Sequence, residues 1–278
     1  MFSKAYVEIT NICNLNCSFC HGTKRPPHRM STEEFSAVIE RLKGHTRHVY
    51  FHLMGEPLTH PDLAEMLHIA AEGGMSCCIT TNGFLIKKCA DTLINAEKLY
   101  KLSVSLHSFE ANSSSVTLTE YLESVWSIVV PLAQKGTICA LRLWNDGGEN
   151  ALNAEILDFL RSKAGGEWHE TRMGSLRLAE NIYLENAAKF EWPDINAPEY
   201  EVQFCHGLRD QLAILCDATV VPCCLDADGE IALGNIFEQS LEEILSSPRA
   251  KALYDGFSRR RPTEELCRKC GYATRFNR

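Results

Sequence analysis

The sequence predicts an α/β protein built on parallel strands, and two observations carry that prediction. Over the first 190 residues, short β-rich runs alternate with helical apolar patterns. The helical runs also carry their own start and stop signals. Strand alternating with helix at this spacing marks βαβ units and a parallel sheet. About six units can be read, too few for a closed eight-stranded barrel. The expectation is therefore an open partial barrel or a doubly wound sheet, with its chemistry at the carboxyl ends of the strands.

The first strand is "AYVEIT", ending at Thr10 and followed by a cysteine-bearing loop. "STEEFSAVIERLK" is a helix opened by a capping box of Ser31 and Glu34. "HVYFHLM" is the second strand, and "HPDLAEMLHIAAEGG" a helix closed by glycine. "SCCITTNG" with "FLIKKCADTLINA", then "KLYKLSVSL" with residues 118–135, give two further units. "TICALRLW" with "NAEILDFLRS" is the fifth, and "SLRLAENIYL" is expected to be the sixth strand. The polar "NAAKFEWPDINAPEYEVQ", punctuated by Pro193 and Pro198, looks like a linker, which divides the chain into 1–190 and 191–278. Beyond it come the hairpin "QLAILCDATVVPCC", turning at Asp217-Ala218, then "EIALGNI", two short helices and "CRKC".

Composition narrows the function classes. A net charge of -8 argues against a nucleic-acid partner, because phosphate recognition wants clustered Lys and Arg. "MFSKAYVEIT" is too short and polar for a secretory signal, and no run reaches the ~18 apolar residues of a membrane span. The expected setting is the cytoplasm, with no membrane partner. In a reducing compartment, 13 cysteines point to metal ligands or catalytic groups rather than disulfides. Cys77, Cys78, Cys89 and Cys139 are scattered, as small core residues are. The rest fall at the two ends of the chain.

Cys13, Cys17 and Cys20 form a CX3CX2C loop just past the first strand. A structural zinc site usually takes four protein ligands, whereas a cubane iron–sulfur cluster held by three thiolates keeps one iron open. A set of three therefore suits an open site at the strand ends. "EITNICNLNCSFC" closely resembles the signature of the radical S-adenosylmethionine (SAM) superfamily, including aromatic Phe19 before the last cysteine. "MGEP" (Met54 to Pro57) resembles its glycine-glycine-glutamate motif, with Met54 in place of the first glycine. "TTNG" (Thr80 to Gly83), Ser105 and Arg142 fall where relatives contact SAM.

The resemblance implies a partial (β/α)6 barrel of parallel strands. It implies a [4Fe-4S] cluster on Cys13, Cys17 and Cys20, whose open iron binds SAM and cleaves it to a 5′-deoxyadenosyl radical. It assigns SAM contacts to Phe19, Gly55, Glu56, Pro57, Thr81, Asn82, Ser105 and Arg142. Glu56 would accept from the SAM ammonium and Arg142 would hold the carboxylate. Ser105 and Asn82 would bond the ribose or carboxylate. A flavodoxin- or ferredoxin-type protein would donate the electron.

Cys205, Cys223, Cys267 and Cys270 make a possible tetrathiolate set, for which zinc is an alternative. With "ATVVPCC", "LGNIF" and "LEEIL", the region resembles the SPASM and twitch domains that carry auxiliary [4Fe-4S] clusters. No cysteine follows the last CxxC, so a small α+β twitch-like domain with one auxiliary cluster is expected. The resemblance favours Cys223 as ligand, with Cys224 in reserve. A fully ligated cluster suits electron transfer, and twitch-bearing aminocyclitol dehydrogenases share this layout. Dehydrogenation of a small-molecule sugar or cyclitol alcohol is the favoured reaction. Epimerisation would use a thiol, Cys216 or Cys224, and His107 is a candidate proton acceptor. Modification of a short ribosomal peptide and a non-catalytic electron carrier are the alternatives.

Overall fold

Each expected unit closes on itself for a local reason, and the units line up into one sheet. The computed structural model describes residues 1–277. Strand β1 (Lys4–Val7) leads into the cysteine loop and helix α1 (Thr32–Leu42). The Ser31 hydroxyl accepts from the Glu34 amide while the Glu34 carboxylate accepts from the Ser31 amide, as the capping box predicts. The pattern continues through β2 (His48–Tyr50), α2 (Leu63–Glu72), β3 (Ser76–Thr81), α3 (Ala90–Asn95), β4 (Leu99–Ser105), α4 (Leu118–Gln134), β5 (Ile138–Asp146) and α5 (Asn153–Ala164). A second capping box, Thr117 with Glu120, opens α4.

The sixth unit differs from expectation. "SLRLAENIYL" is two strands, β7 (Leu176–Ala179) and β8 (Ile182–Ala188), preceded by a short β6 (His169–Glu170). Asn181 takes a left-handed φ of 56°, which asparagine tolerates, and turns the chain back between them. Strand β8 then completes the parallel set by pairing with β5.

No helix or strand lies between Ala188 and Gln211 among the described residues, consistent with the linker pattern. Strand β9 (Gln211–Ile214) then pairs in parallel with β1, and the hairpin continues through β10 (Thr219–Val221) to β11 (Gly234–Asn235). The hairpin turns at Asp217-Ala218, with Ala218 at a φ of 68°. Helices α6 (Leu241–Ser246), α7 (Pro248–Ser258) and α8 (Glu265–Arg268) follow, and a 3-10 helix over Gly271–Phe276 comes after them. The sheet order is β11-β10-β9-β1-β2-β3-β4-β5-β8-β7-β6, so the two halves of the chain share one continuous sheet.

One side of every barrel strand packs on the helices. Val7, Val49, Ile79, Val104 and Leu141 meet α-helical residues such as Phe35, Met66 and Val129 in a single large core. Cys77 and Cys139 are buried in it, as small core residues should be. The other side curls around a cavity that touches Tyr6, Tyr50, Thr80, Lys101 and Arg142, one residue from each of five successive strands. Its two outer strands, β11 and β6, do not pair with each other, so the barrel is open. Among the described residues, no helix is long and apolar enough to cross a membrane.

Candidate active site

The loop past β1 leaves Cys13 and Cys20 exposed and Cys17 half-buried. Each sulfur has an N–H donor of its own. The Leu15 amide donates to Cys13 Sγ at 3.4 Å, the Gly22 amide to Cys20 Sγ at 3.4 Å, and Asn112 Nδ2 to Cys17 Sγ at 3.0 Å. Burial pushes the Cys17 thiol up to about 11, and the Asn112 donation works against it. Donors of this kind favour thiolate, the form that binds metal. No three Cys, His, Asp or Glu side chains among the described residues converge as a single metal ion would require. A cubane binds each thiolate through a different iron, so it asks for neighbouring but separate sulfurs. The three-thiol loop fits that group.

The strand-end motifs hold this loop in place. Gly55 has a φ of 74°, and a Cβ there would stand 2.3 Å from the Thr10 carbonyl oxygen. Glycine is required at 55 because the chain's own cysteine loop lies against it. The Glu56 carboxylate is buried and accepts from the Asn82 amide at 2.7 Å and the Leu58 amide at 3.1 Å. Burial pushes it up to about 7, despite those amides. The residue expected to receive the SAM ammonium thus also ties the end of β3 to the turn after β2. Pro57 starts that turn, is buried, and does not line the cavity. A direct SAM contact there is therefore corrected to a backbone role: its fixed φ begins the turn that Glu56 caps.

Asn82 also differs from expectation. Its Nδ2 donates to Asn14 Oδ1 at 2.9 Å and its Oδ1 accepts from the Phe84 amide at 3.0 Å. The side chain pins the cysteine loop rather than standing free for a ribose. Thr81 lines the cavity, and its Oγ1 accepts from the Gly83 amide at 3.0 Å. Ser105 lines the cavity at the end of β4, where it is level with Arg142 on β5. Arg142 Nε pairs with Glu185 at 3.0 Å, and its guanidinium lies 4.6 Å over the Trp144 ring. Glu185 also takes Lys101 at 2.8 Å. Part of the expected carboxylate fork is therefore already engaged.

The second cysteine set comes from segments far apart in sequence. Cys205 precedes β9, Cys223 follows β10, and Cys267 and Cys270 lie in and just past α8. The four are electrostatic neighbours: Cys223 feels Cys205, Cys267 and Cys270. Burial, the leading effect, raises all four thiols. Backbone amides of His206 and Gly207 approach Cys205, and those of Tyr272 and Ala273 approach Cys270. Cys223 also feels Cys224, whose thiol packs against Tyr6.

Both cysteine sets and the barrel interior line one cavity of about 770 Å³. Of the three catalytic candidates, His107 and Cys224 line it. Cys216 does not: it is buried between Glu8 and Arg25, with Arg25 Nη1 3.4 Å from its sulfur. The His107 ring packs 4.7 Å from Phe19, and its Nδ1 lies 3.1 Å from the Arg142 carbonyl oxygen. Burial holds its pKa below the ordinary histidine value, so the ring is neutral at pH 7.

The sequence reading missed Asn112, Trp192, the Lys101–Glu185 pair and the Glu8–Arg25 pair. Trp192 Nε1 donates to the Phe19 carbonyl at 3.0 Å from within the linker. Only Glu8 left a signal, as a lone carboxylate inside the β-rich "AYVEIT".

Comparison with known proteins decides the family. The sequence profile of the Radical SAM superfamily matches residues 7–160, more than half of the chain. The chain belongs to the radical SAM superfamily. A second profile, the SPASM iron-sulfur cluster-binding domain, matches residues 205–271. Membership brings SAM and a [4Fe-4S] cluster as cofactors, and the SPASM match adds an auxiliary iron–sulfur group. A GTP 3′,8-cyclase of Chlorobaculum tepidum is 33% identical over 125 residues, 43% of this chain and 37% of that protein. An AdoMet-dependent heme synthase of Methanosarcina barkeri is 29% identical over 109 residues, 38% of this chain and 31% of that protein. The matched segment thus spans about a third of these curated relatives. Among solved structures, BtrN in complex with AdoMet and 2-DOIA superposes with a TM-score of 0.63 at 16% identity, covering 97% of this chain and 93% of that one. Streptococcus suis SuiB gives a TM-score of 0.63 at 16% identity over 91% of this chain and 68% of that one. At such identities these radical SAM neighbours establish the fold.

Proposed function

We propose that this radical SAM enzyme removes hydrogen from a polar small molecule held in the barrel, with oxidation of a sugar or cyclitol alcohol to a carbonyl as its reaction. The observation that carries this reading is the shared cavity: both cysteine sets line it, together with the polar side chains of Tyr6, Tyr50, Lys101 and Arg142 on the barrel strands. Cys13, Cys17 and Cys20 would hold the SAM-binding cluster, and Cys205, Cys223, Cys267 and Cys270 the auxiliary one. Loaded with its groups, the site would supply a hydrogen-abstracting radical and a one-electron acceptor.

The remaining work belongs to the side chains. Tyr6, Tyr50, Lys101 and Arg142 offer hydrogen bonds suited to a polyol. Glu185 fixes Lys101 and Arg142 in direction. His107 is neutral, with Nδ1 3.1 Å from the Arg142 carbonyl oxygen and 3.4 Å from the Trp144 amide nitrogen; in the tautomer that carries its proton on Nδ1, Nε2 would accept the hydroxyl proton. Phe19, Trp144 and Trp192 line the cavity and exclude water. One observation favours a second reading, epimerisation: the Cys224 thiol lines the same cavity against Tyr6, where it could return a hydrogen atom.

The test is anaerobic reconstitution, reduction, and assay of 5′-deoxyadenosine with a panel of carbon-deuterated polyols. A flavodoxin- or ferredoxin-type donor would replace the chemical reductant in a second series. Deuterium in 5′-deoxyadenosine together with a carbonyl product supports dehydrogenation. Solvent hydrogen in a recovered alcohol, lost in Cys224→Ala, supports epimerisation. Turnover of a short peptide and of no polyol would overturn the reading.

A further inference from the structure

Glu8 directly follows β1, and it is fully buried at 0% exposure. Arg25, five residues past Cys20, reaches it with one nitrogen at 2.7 and 2.8 Å from its two oxygens. The same carboxylate accepts from the Met54 amide at 3.1 Å, at the head of the Gly55-Glu56 turn. It also accepts from the Cys216 amide at 3.2 Å, past the end of β9. Arg25 in turn donates from Nε to the Ala227 carbonyl at 2.9 Å. One ion pair thus joins the tail of the cysteine loop, the strand-two turn and two segments of the C-terminal region.

Neighbouring contacts repeat the connection. Asp228 accepts from the Thr23 hydroxyl and the Lys24 amide, each at 2.8 Å, and Trp192 donates to the Phe19 carbonyl at 3.0 Å. The cysteine loop is therefore held on one side by Asn82 and Asn112 of the barrel, and on the other by residues beyond 190. A surface ion pair would do none of this. A buried one with every oxygen engaged by a different segment fixes their relative positions, because no member moves without leaving a charge unpaired.

We infer that Glu8 and Arg25 are positioning residues that couple the C-terminal cysteine region to the SAM-binding loop, so that the integrity of the second set controls the affinity of the first for SAM. Neither residue lines the cavity, so neither is a catalytic group. The inference rests on Cys13, Cys17 and Cys20 as ligands of the SAM-binding cluster. The coupling is reciprocal in binding terms: tightening either end tightens the other.

The test uses anaerobically reconstituted protein and measures SAM affinity by equilibrium dialysis, with iron content and circular dichroism as controls for folding. Three proteins are compared with wild type: the neutral pair Glu8→Gln/Arg25→Gln, the second-set variant Cys267→Ala/Cys270→Ala, and their combination. The two parents are each expected to bind SAM about tenfold more weakly, and the combination no more than about twofold weaker than either. Losses that multiply, or unchanged SAM affinity in the neutral pair, would overturn the inference. Arg25→Lys guards against misfolding of the neutral pair. It keeps a charge for Glu8 but lacks the fork that also reaches Ala227, so it should fall between wild type and the neutral pair. Wild-type affinity in Arg25→Lys would also overturn the inference. Cys13→Ala separates the two failures, since SAM binding that survives it would sink the ligand assignment and not the coupling.

Discussion

The two cysteine sets are built on opposite principles. Cys13, Cys17 and Cys20 lie within eight consecutive residues of one loop, and two of the three are exposed. That loop has no hydrophobic core of its own and takes its shape from polar side chains of other segments, Asn82, Asn112 and Trp192. Cys205, Cys223, Cys267 and Cys270 span 66 positions, none of them is exposed, and Cys270 is buried in the core with Cys205 and Cys267 packed against it. The first set, proposed to bind SAM, stays at the surface of a scaffold. A set drawn from three separate segments can be part of what holds the scaffold together.

The largest expected effect follows directly. Cys13→Ala should reduce 5′-deoxyadenosine release to background, on the order of 10³-fold or more, while the melting temperature falls by less than about 4 °C. Cys270→Ala should do the reverse in stability terms, lowering it by roughly 8–16 °C as about 4 kcal/mol of cross-linking is lost. Differential scanning fluorimetry on reconstituted protein reads both. Equal thermal shifts would erase the distinction between the two regions.

A smaller effect is expected at Glu56. Its folded-state pKa, about 7, lies above that of an unfolded glutamate, so the protonated form stabilises the fold. That contribution is fully present below about pH 4.3 and is lost as pH rises through about 7. Glu56→Gln in the iron-free protein should therefore gain on wild type as pH rises from 5 to 8, by denaturant midpoint. A constant difference across that range would show that the carboxylate does not titrate there.

The smallest effect belongs to the auxiliary hairpin. Ala218 holds a left-handed φ of 68°, which costs a non-glycine residue roughly 1–2 kcal/mol. Glycine would relieve that strain but would lose a buried methyl, about 0.8 kcal/mol, and add freedom to the unfolded chain. Ala218→Gly should thus change stability by less than about 1 kcal/mol. A loss above 2 kcal/mol would mean that the methyl, and not the turn, positions Cys216 and Cys223.

What could be read from the sequence was whatever is local. The capping box at Ser31, the alternation of strands and helices, the three-cysteine loop and the hairpin at Asp217-Ala218 depend on residues within a few positions of each other. The β7–β8 turn was missed because Asn181 looks like any polar residue inside a β-rich run, until its left-handed φ is known. Cys216 and Cys224 looked equivalent as spare thiols. Tertiary packing separates them, sending one to Arg25 and the other to Tyr6. Asn82 ends a readable strand motif, but its partner Asn14 could not be named without the fold. Glu8 and Arg25 stand 17 positions apart and carry no shared motif, so only geometry reveals their pairing.

The parallel pairing of β9 with β1 has a consequence during synthesis. Lys4 pairs with Gln211, so one edge of β1 waits for a strand some 207 residues downstream. At 5–20 residues per second, the nascent chain would carry that unpaired edge for roughly 10–40 s. During that time the half-formed sheet presents a bare row of amides and carbonyls to any other extended chain. The protein is thus most exposed to aggregation before its last quarter leaves the ribosome, and slower translation of residues 190–214 would lengthen that window.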